Sequence, residues 1–96
     1  ALWPAFLDSR REMAAQLPAL LNAGDAAAAR DLAHKLAGGL AMYGLKGAAG
    51  EARAIEQALA GPTPDPGAAS QAVQGLQARL ARLARPASAR GGQPSA

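Results

Sequence analysis

The chain holds one imidazole, His34, and four residues after it stands a Gly-Gly pair, within "ARDLAHKLAGGLAMYG" at 29–44. A lone imidazole can ligate a metal, or it can attack an electrophile through a ring nitrogen that carries a free lone pair. Metal ligation is disfavoured, because the sequence has no cysteine and no second histidine from which a tetrahedral site could be assembled. Nucleophilic chemistry asks for less. It needs access and a neutral ring, and an ordinary imidazole, with a pKa of about 6.5, is mostly neutral near pH 7.

Access can be judged on a helical wheel. With about 100° per residue from Leu32, the residues Ala29, Leu36, Leu40 and Tyr43 cluster within about 80° and define an expected buried stripe, while His34 falls near 200°. Arg30, Ala37, Gly38 and Ala41 share its outward face, so apart from Arg30 the imidazole stands among side chains with almost no bulk. Glycine inside a helix costs about 1 kcal/mol relative to alanine, so two in succession need a reason. Gly39 points to the core side and can let the helix approach a neighbour; Gly38, one turn after His34, can leave room for another molecule. The plainer alternative is a solvated histidine beside a tolerated glycine.

The elements that would carry this face are all helical, since the apolar period is near 3.6 throughout and no stretch alternates with period two. A first helix is marked by Trp3, Phe6, Leu7, Met13, Ala14, Leu17, Leu20 and Leu21, with Pro4 suited to its first turn. Pro18 lacks the N–H that would bond to Ala14, which predicts a kink or a split there. "NAGD" ends that segment, and Asp25 is placed to cap a second helix running to about Tyr43. Gly44 reads as its left-handed stop, followed by a third helix through Leu45, Ala48, Ala52, Ile55 and Leu59. "GPTPDPG" breaks the chain again. Asp65 and Pro66 then read as cap and first position of a fourth helix carrying Val73, Leu76, Leu80 and Leu83 and ending near Arg85. The expected architecture is an all-α, antiparallel, up-down-up-down four-helix bundle over residues 1–85, with helices about 25–30 Å long and a disordered tail over 86–96. In a hairpin turning at Tyr43 and Gly44, His34 lies level with roughly residues 53–56. Glu56, at the margin of the third helix's apolar stripe, can then take up the proton of one ring nitrogen and turn the other outward; the alternative is a carboxylate that faces solvent.

Composition narrows the partners. Ten basic residues are offset by seven acidic ones for a net charge of +3, and aromatic residues make up only 3%, which leaves little for base stacking. Nucleic acid is therefore not expected. "QARLARLARPASAR" could be read as a basic amphipathic helix for lipid or nucleic acid, but its leucines serve more economically in the core, with Arg79, Arg82 and Arg85 as a solvated rim. No apolar run approaches the 18–20 or so residues that cross a bilayer, so no membrane partner is expected. The lack of cysteine points to an intracellular, cytoplasmic setting. A start at Ala1 rather than Met suggests a domain of a longer protein. There is no "GxxxxGK" loop and no carboxylate cluster to hold Mg²⁺, so ATP chemistry is not expected of this chain, nor a cofactor or metal of its own.

"LAHKLAGG", then Gly44 ten positions after His34, then "AGEARAIEQA" together resemble the histidine-containing phosphotransfer (HPt) domain of two-component phosphorelays. The resemblance implies that His34 is the phosphoacceptor, that Gly38 admits the partner, and that Gly44 closes the hairpin. Glu56 occupies the position where the family commonly carries Gln or Glu. It further implies a phosphocarrier rather than an enzyme, taking a phosphoryl group from the aspartate of one receiver domain and passing it to another. Those receivers would belong to response regulators or a hybrid histidine kinase and would supply the metal; the chain itself would be a monomer or a domain of a larger sensor kinase. One position departs. The family often has lysine three residues after the histidine, where this chain has Ala37, so Arg30 and Arg53 are the candidates for the positive charge beside a phosphoryl group. The competing reading is a non-catalytic docking bundle in which His34 never changes covalently.

Overall fold

The computed structural model describes residues 2–84, which form four helices: α1 (Leu2–Asn22), α2 (Ala26–Met42), α3 (Lys46–Leu59) and α4 (Pro66–Ala84). Each helix packs on the next in sequence and α1 packs on α4, closing an up-down-up-down bundle in which α2 and α3 share the most extensive contact. At about 1.5 Å per residue α3 spans only about 21 Å, shorter than the sequence suggested. The expected tail over 86–96 lies outside the described residues, as does the side chain of Trp3.

The turns are short because glycine and the caps do the work that longer loops would need several residues to do. After α1 and again after α2 the chain closes the same way. Gly24 and Gly44 both sit at φ +75°, a conformation glycine enters without a Cβ penalty. In each case the glycine N–H bonds three residues back (Gly24 to Leu21, Gly44 to Ala41). The following N–H bonds five back (Asp25 to Leu20, Leu45 to Leu40), so the last carbonyls of each helix are satisfied. Asp25 then accepts from the Ala28 N–H at 3.2 Å and starts α2; Asp65 accepts from the Ala68 N–H at 3.0 Å and, with Pro66 behind it, starts α4.

The core contains no buried polar side chain among the described residues. Its largest fully buried members are Leu17, Leu36, Leu40, Ile55, Leu76 and Leu80. Much of the remainder is alanine. Ala29, Ala33 and Ala37 of α2 and Ala48, Ala49 and Ala52 of α3 are all buried, and such short side chains let two helices come close. Two other glycines make room for an ion pair between α3 and α4. Arg79 Nε donates to Glu51 Oε1 at 3.0 Å, the guanidinium lies where a Cβ on Gly47 would be, and the carboxylate lies where a Cβ on Gly75 would be. Arg79 is therefore a bridge between helices, not part of a solvated rim. Leu76 and Leu80 are buried and Leu83 is half-buried, so the apolar side of α4 is spent on the core.

The expected split at Pro18 does not occur: α1 is one helix that passes through it. A proline removes one donor and orphans the carbonyl four residues earlier, here Ala14. That carbonyl is taken up from outside the helix, by Gln77 of α4, whose Nε2 donates to Ala14 O at 3.3 Å. Gln77→Met should then cost about 1–2 kcal/mol by leaving a buried carbonyl unpaired. In a Pro18→Ala background, which returns the backbone donor, that cost should largely vanish. Urea unfolding of the four proteins reads this directly, and an equal loss in both backgrounds would show that Gln77 acts through some other contact.

Candidate functional site

The α2–α3 seam fixes where the imidazole goes. Ala33 and Ala37 on α2 are buried together with Ala29, Leu36 and Leu40, whereas Leu32 is only half-buried and Tyr43 is 47% exposed. The buried stripe is thus rotated by about 50° from the one the large residues alone define, because alanines facing alanines count as core as fully as leucines do. Two corrections follow. Ala37, expected on the open face beside His34, is buried and cannot touch a partner; Tyr43, expected in the stripe, lies at the surface. Tyr43 is held there by a stack on Phe6 of α1, with ring centroids 3.7 Å apart.

The same rotation places His34 on the flank of α2 that borders α3. Its side chain is 74% exposed, yet Nδ1 lies 3.0 Å from Oε2 of Glu56, which is 31% exposed. An ionised carboxylate can only accept a hydrogen bond, so Nδ1 must carry a proton. In a neutral ring the lone pair is then on Nε2. Glu56 itself is placed by the period of α3: Ala52, Ile55 and Leu59 are buried, and the next residue after Ile55 falls at the edge of that stripe, facing α2.

The two glycines have different surroundings. A Cβ on Gly38 would meet nothing within 4 Å, whereas one on Gly39 would come within 2.8 Å of Arg10 Nε. Gly39 does make room for a neighbour, but the neighbour is a guanidinium of α1 rather than a backbone. Arg10 lies 4.6 Å over the Phe6 ring, and its Nη1 donates to Ser9 Oγ at 3.0 Å. Gly38 and Ala41 are exposed on the His34 side of α2, as are Arg30 on α2 and Arg53 on α3. With His34 opposite Glu56, three residues forward on α2 and three back on α3 bring Ala37 level with Arg53. A cation is thus available from the neighbouring helix at the level where α2 supplies none. Met42, which the sequence reading passed over, is the most exposed large apolar residue among those with described side chains, at 86%.

A concavity of about 400 Å³ lies between α1 and α4, lined by Asp8, Arg11, Glu12, Gln77 and Leu80 among others, and a second involves Leu21, Leu59 and Pro64; neither includes His34. An exposed nucleophile on a convex helix suits a macromolecular partner better than a small ligand, which needs a concave site.

The family model for the Hpt domain matches residues 1–86. The chain belongs to the histidine-containing phosphotransfer (Hpt) family. Comparison with curated proteins and with solved structures gave no significant match. Membership makes the chain a phosphotransfer module of two-component signalling, a phosphocarrier that works with receiver domains. No helix among the described residues of this Hpt domain is long and apolar enough to cross a membrane.

The different surroundings of the two glycines give separable stabilities. Gly38→Ala should raise stability by about 0.5–1 kcal/mol, the ordinary helix-propensity gain at an open position. Gly39→Ala should show no such gain, because its Cβ must displace Arg10 from Phe6. Equal gains in thermal or urea unfolding would mean that Arg10 does not occupy the Gly39 notch.

Proposed function

We propose that this Hpt domain is a relay intermediate whose phosphoacceptor is His34, loaded from the aspartyl phosphate of one receiver domain and unloaded onto the aspartate of another. The observation that supports this reading most directly is the 3.0 Å contact of His34 Nδ1 with Glu56 beside the open position at Gly38. In the loading step Nε2 attacks phosphorus, an N–P bond forms, and the P–O bond to the receiver's carboxylate breaks, with the electron pair leaving on that carboxylate. The ring becomes a phosphoimidazolium that retains its Nδ1 proton. Glu56 stabilises this positive charge as it develops and keeps the ring from rotating. Unloading is the same sequence reversed with a second carboxylate. The Mg²⁺ that such a transfer uses is assigned to the receiver.

The phosphoryl group carries close to two negative charges, and a cation within about 4–6 Å favours it. Ala37 cannot supply one, so the role is assigned to Arg30 and Arg53, whose planar guanidinium groups suit phosphate oxygens. Gly38 is assigned to partner access, Ala41 to the contact surface beside it, and Gly39 and Gly44 to structure. The setting proposed is cytoplasmic.

Incubation with a phosphorylated receiver domain, followed by mapping of acid-labile phosphate, tests the assignment. The parent should be labelled on His34 and His34→Gln should fold but stay unlabelled. Arg30→Ala and Arg53→Ala should each slow labelling several-fold without loss of stability. Labelling of His34→Gln at the parent yield would refute the phosphoacceptor, and an unlabelled parent would favour a docking module.

A further inference from the structure

His34 belongs to one ridge of α2. Residues four apart lie along a ridge of the helix surface, and Arg30, His34, Gly38 and Met42 occupy successive places on it. The ridge carries a cation, a nucleophile, a gap and an apolar knob, in that order, and all four residues are exposed. The knob is unusual for this chain. The other large apolar residues with described side chains lie in the core, pack against it or, in the case of Tyr43, stack on Phe6, whereas Met42 is 86% exposed.

We infer that Met42 is the apolar anchor on which a receiver domain seats. This inference rests on the phosphocarrier reading of His34. Transfer requires the receiver's phosphorylated carboxylate to come within about 3–3.5 Å of the attacking nitrogen, so the partner surface must close over the imidazole. A specific interface covers about 800 Å² on each partner, equivalent to a disc of roughly 16 Å radius. Met42 is two ridge steps from His34, about 12 Å along the axis. Only Gly38 stands between them on the ridge, and a Cβ there would meet nothing within 4 Å beyond the adjoining turns of its own helix. A receiver that reaches His34 therefore also covers Met42, and removing that side chain from water rewards a partner that offers it an apolar recess. Arg30 marks the other end of the ridge. The partner is thereby oriented, with its recess toward the C-terminal end of α2. The unbranched thioether fits recesses of different shape, which suits a carrier that must meet both a donor and an acceptor.

The test compares two phosphoryl donors on the parent and on Met42→Ala, Met42→Glu and Met42→Leu: phosphoramidate, which is too small to touch position 42, and a phosphorylated receiver domain that labels the parent. With the receiver, Met42→Ala should raise the half-saturating concentration about tenfold and Met42→Glu further, at an unchanged maximal rate, while Met42→Leu should stay near the parent. Phosphoramidate should label all four proteins at one rate. Parent-like concentration dependence in both Met42→Ala and Met42→Glu would overturn the anchor while leaving His34 as phosphoacceptor. A parallel loss of phosphoramidate labelling would overturn it too, by showing that position 42 acts on the imidazole. A parent that takes phosphate from neither donor would remove the phosphocarrier reading, and the anchor with it.

Discussion

The approach of His34 Nδ1 to Glu56 Oε2, 3.0 Å across the α2–α3 seam, depends on how closely two helices can lie. Six buried alanines, three on each helix, allow a close approach. Larger side chains along the seam would push the axes apart toward the upper end of the usual 8–10 Å range, beyond which an imidazole and a carboxylate on its margins no longer meet. The Schellman-type turn at Gly44 fixes the register of the two helices, because a stop one residue earlier or later would rotate every following side chain of α3 by about 100°. Chemistry at the surface of this bundle is thus governed by residues that have almost no side chain.

A division of labour among glycines follows the same logic. Gly44, just past the end of α2, supplies a backbone conformation, Gly39 makes room for Arg10, Gly47 and Gly75 make room for the Glu51–Arg79 pair, and Gly38 and Gly50 face open space. Helix propensity is given up at these five helical positions, and at Gly39, Gly47 and Gly75 the structure shows what is gained within the chain. At Gly38 it shows nothing within the chain, which is why access for a partner is the economical explanation there.

Much of this was legible in the sequence. The caps at Asp25 and Asp65, the stop at Gly44 and the pairing of Glu56 with His34 all follow from local rules: short polar side chains that accept from helix N–H groups, glycine at positive φ, and the antiparallel register that a tight turn imposes. What was not legible depended on partners distant in sequence. Ala37 was misplaced because a wheel weighted by large residues misses a stripe completed by alanines. Pro18 was expected to kink or split α1 because the donor that takes up the orphaned Ala14 carbonyl, Gln77, lies 63 positions further along the chain. Arg79 looked solvated until Glu51 and two glycines were brought beside it.

Glu56 is assigned to hold the proton on Nδ1 and leave Nε2 as the outward nucleophile. Long-range ¹H–¹⁵N NMR of the neutral His34 ring, before and after phosphorylation, reads both nitrogens. The Nδ1–H form is expected in the free domain and phosphorus bonded to Nε2 in the loaded one; an Nε2–H form, or phosphate on Nδ1, would contradict that assignment.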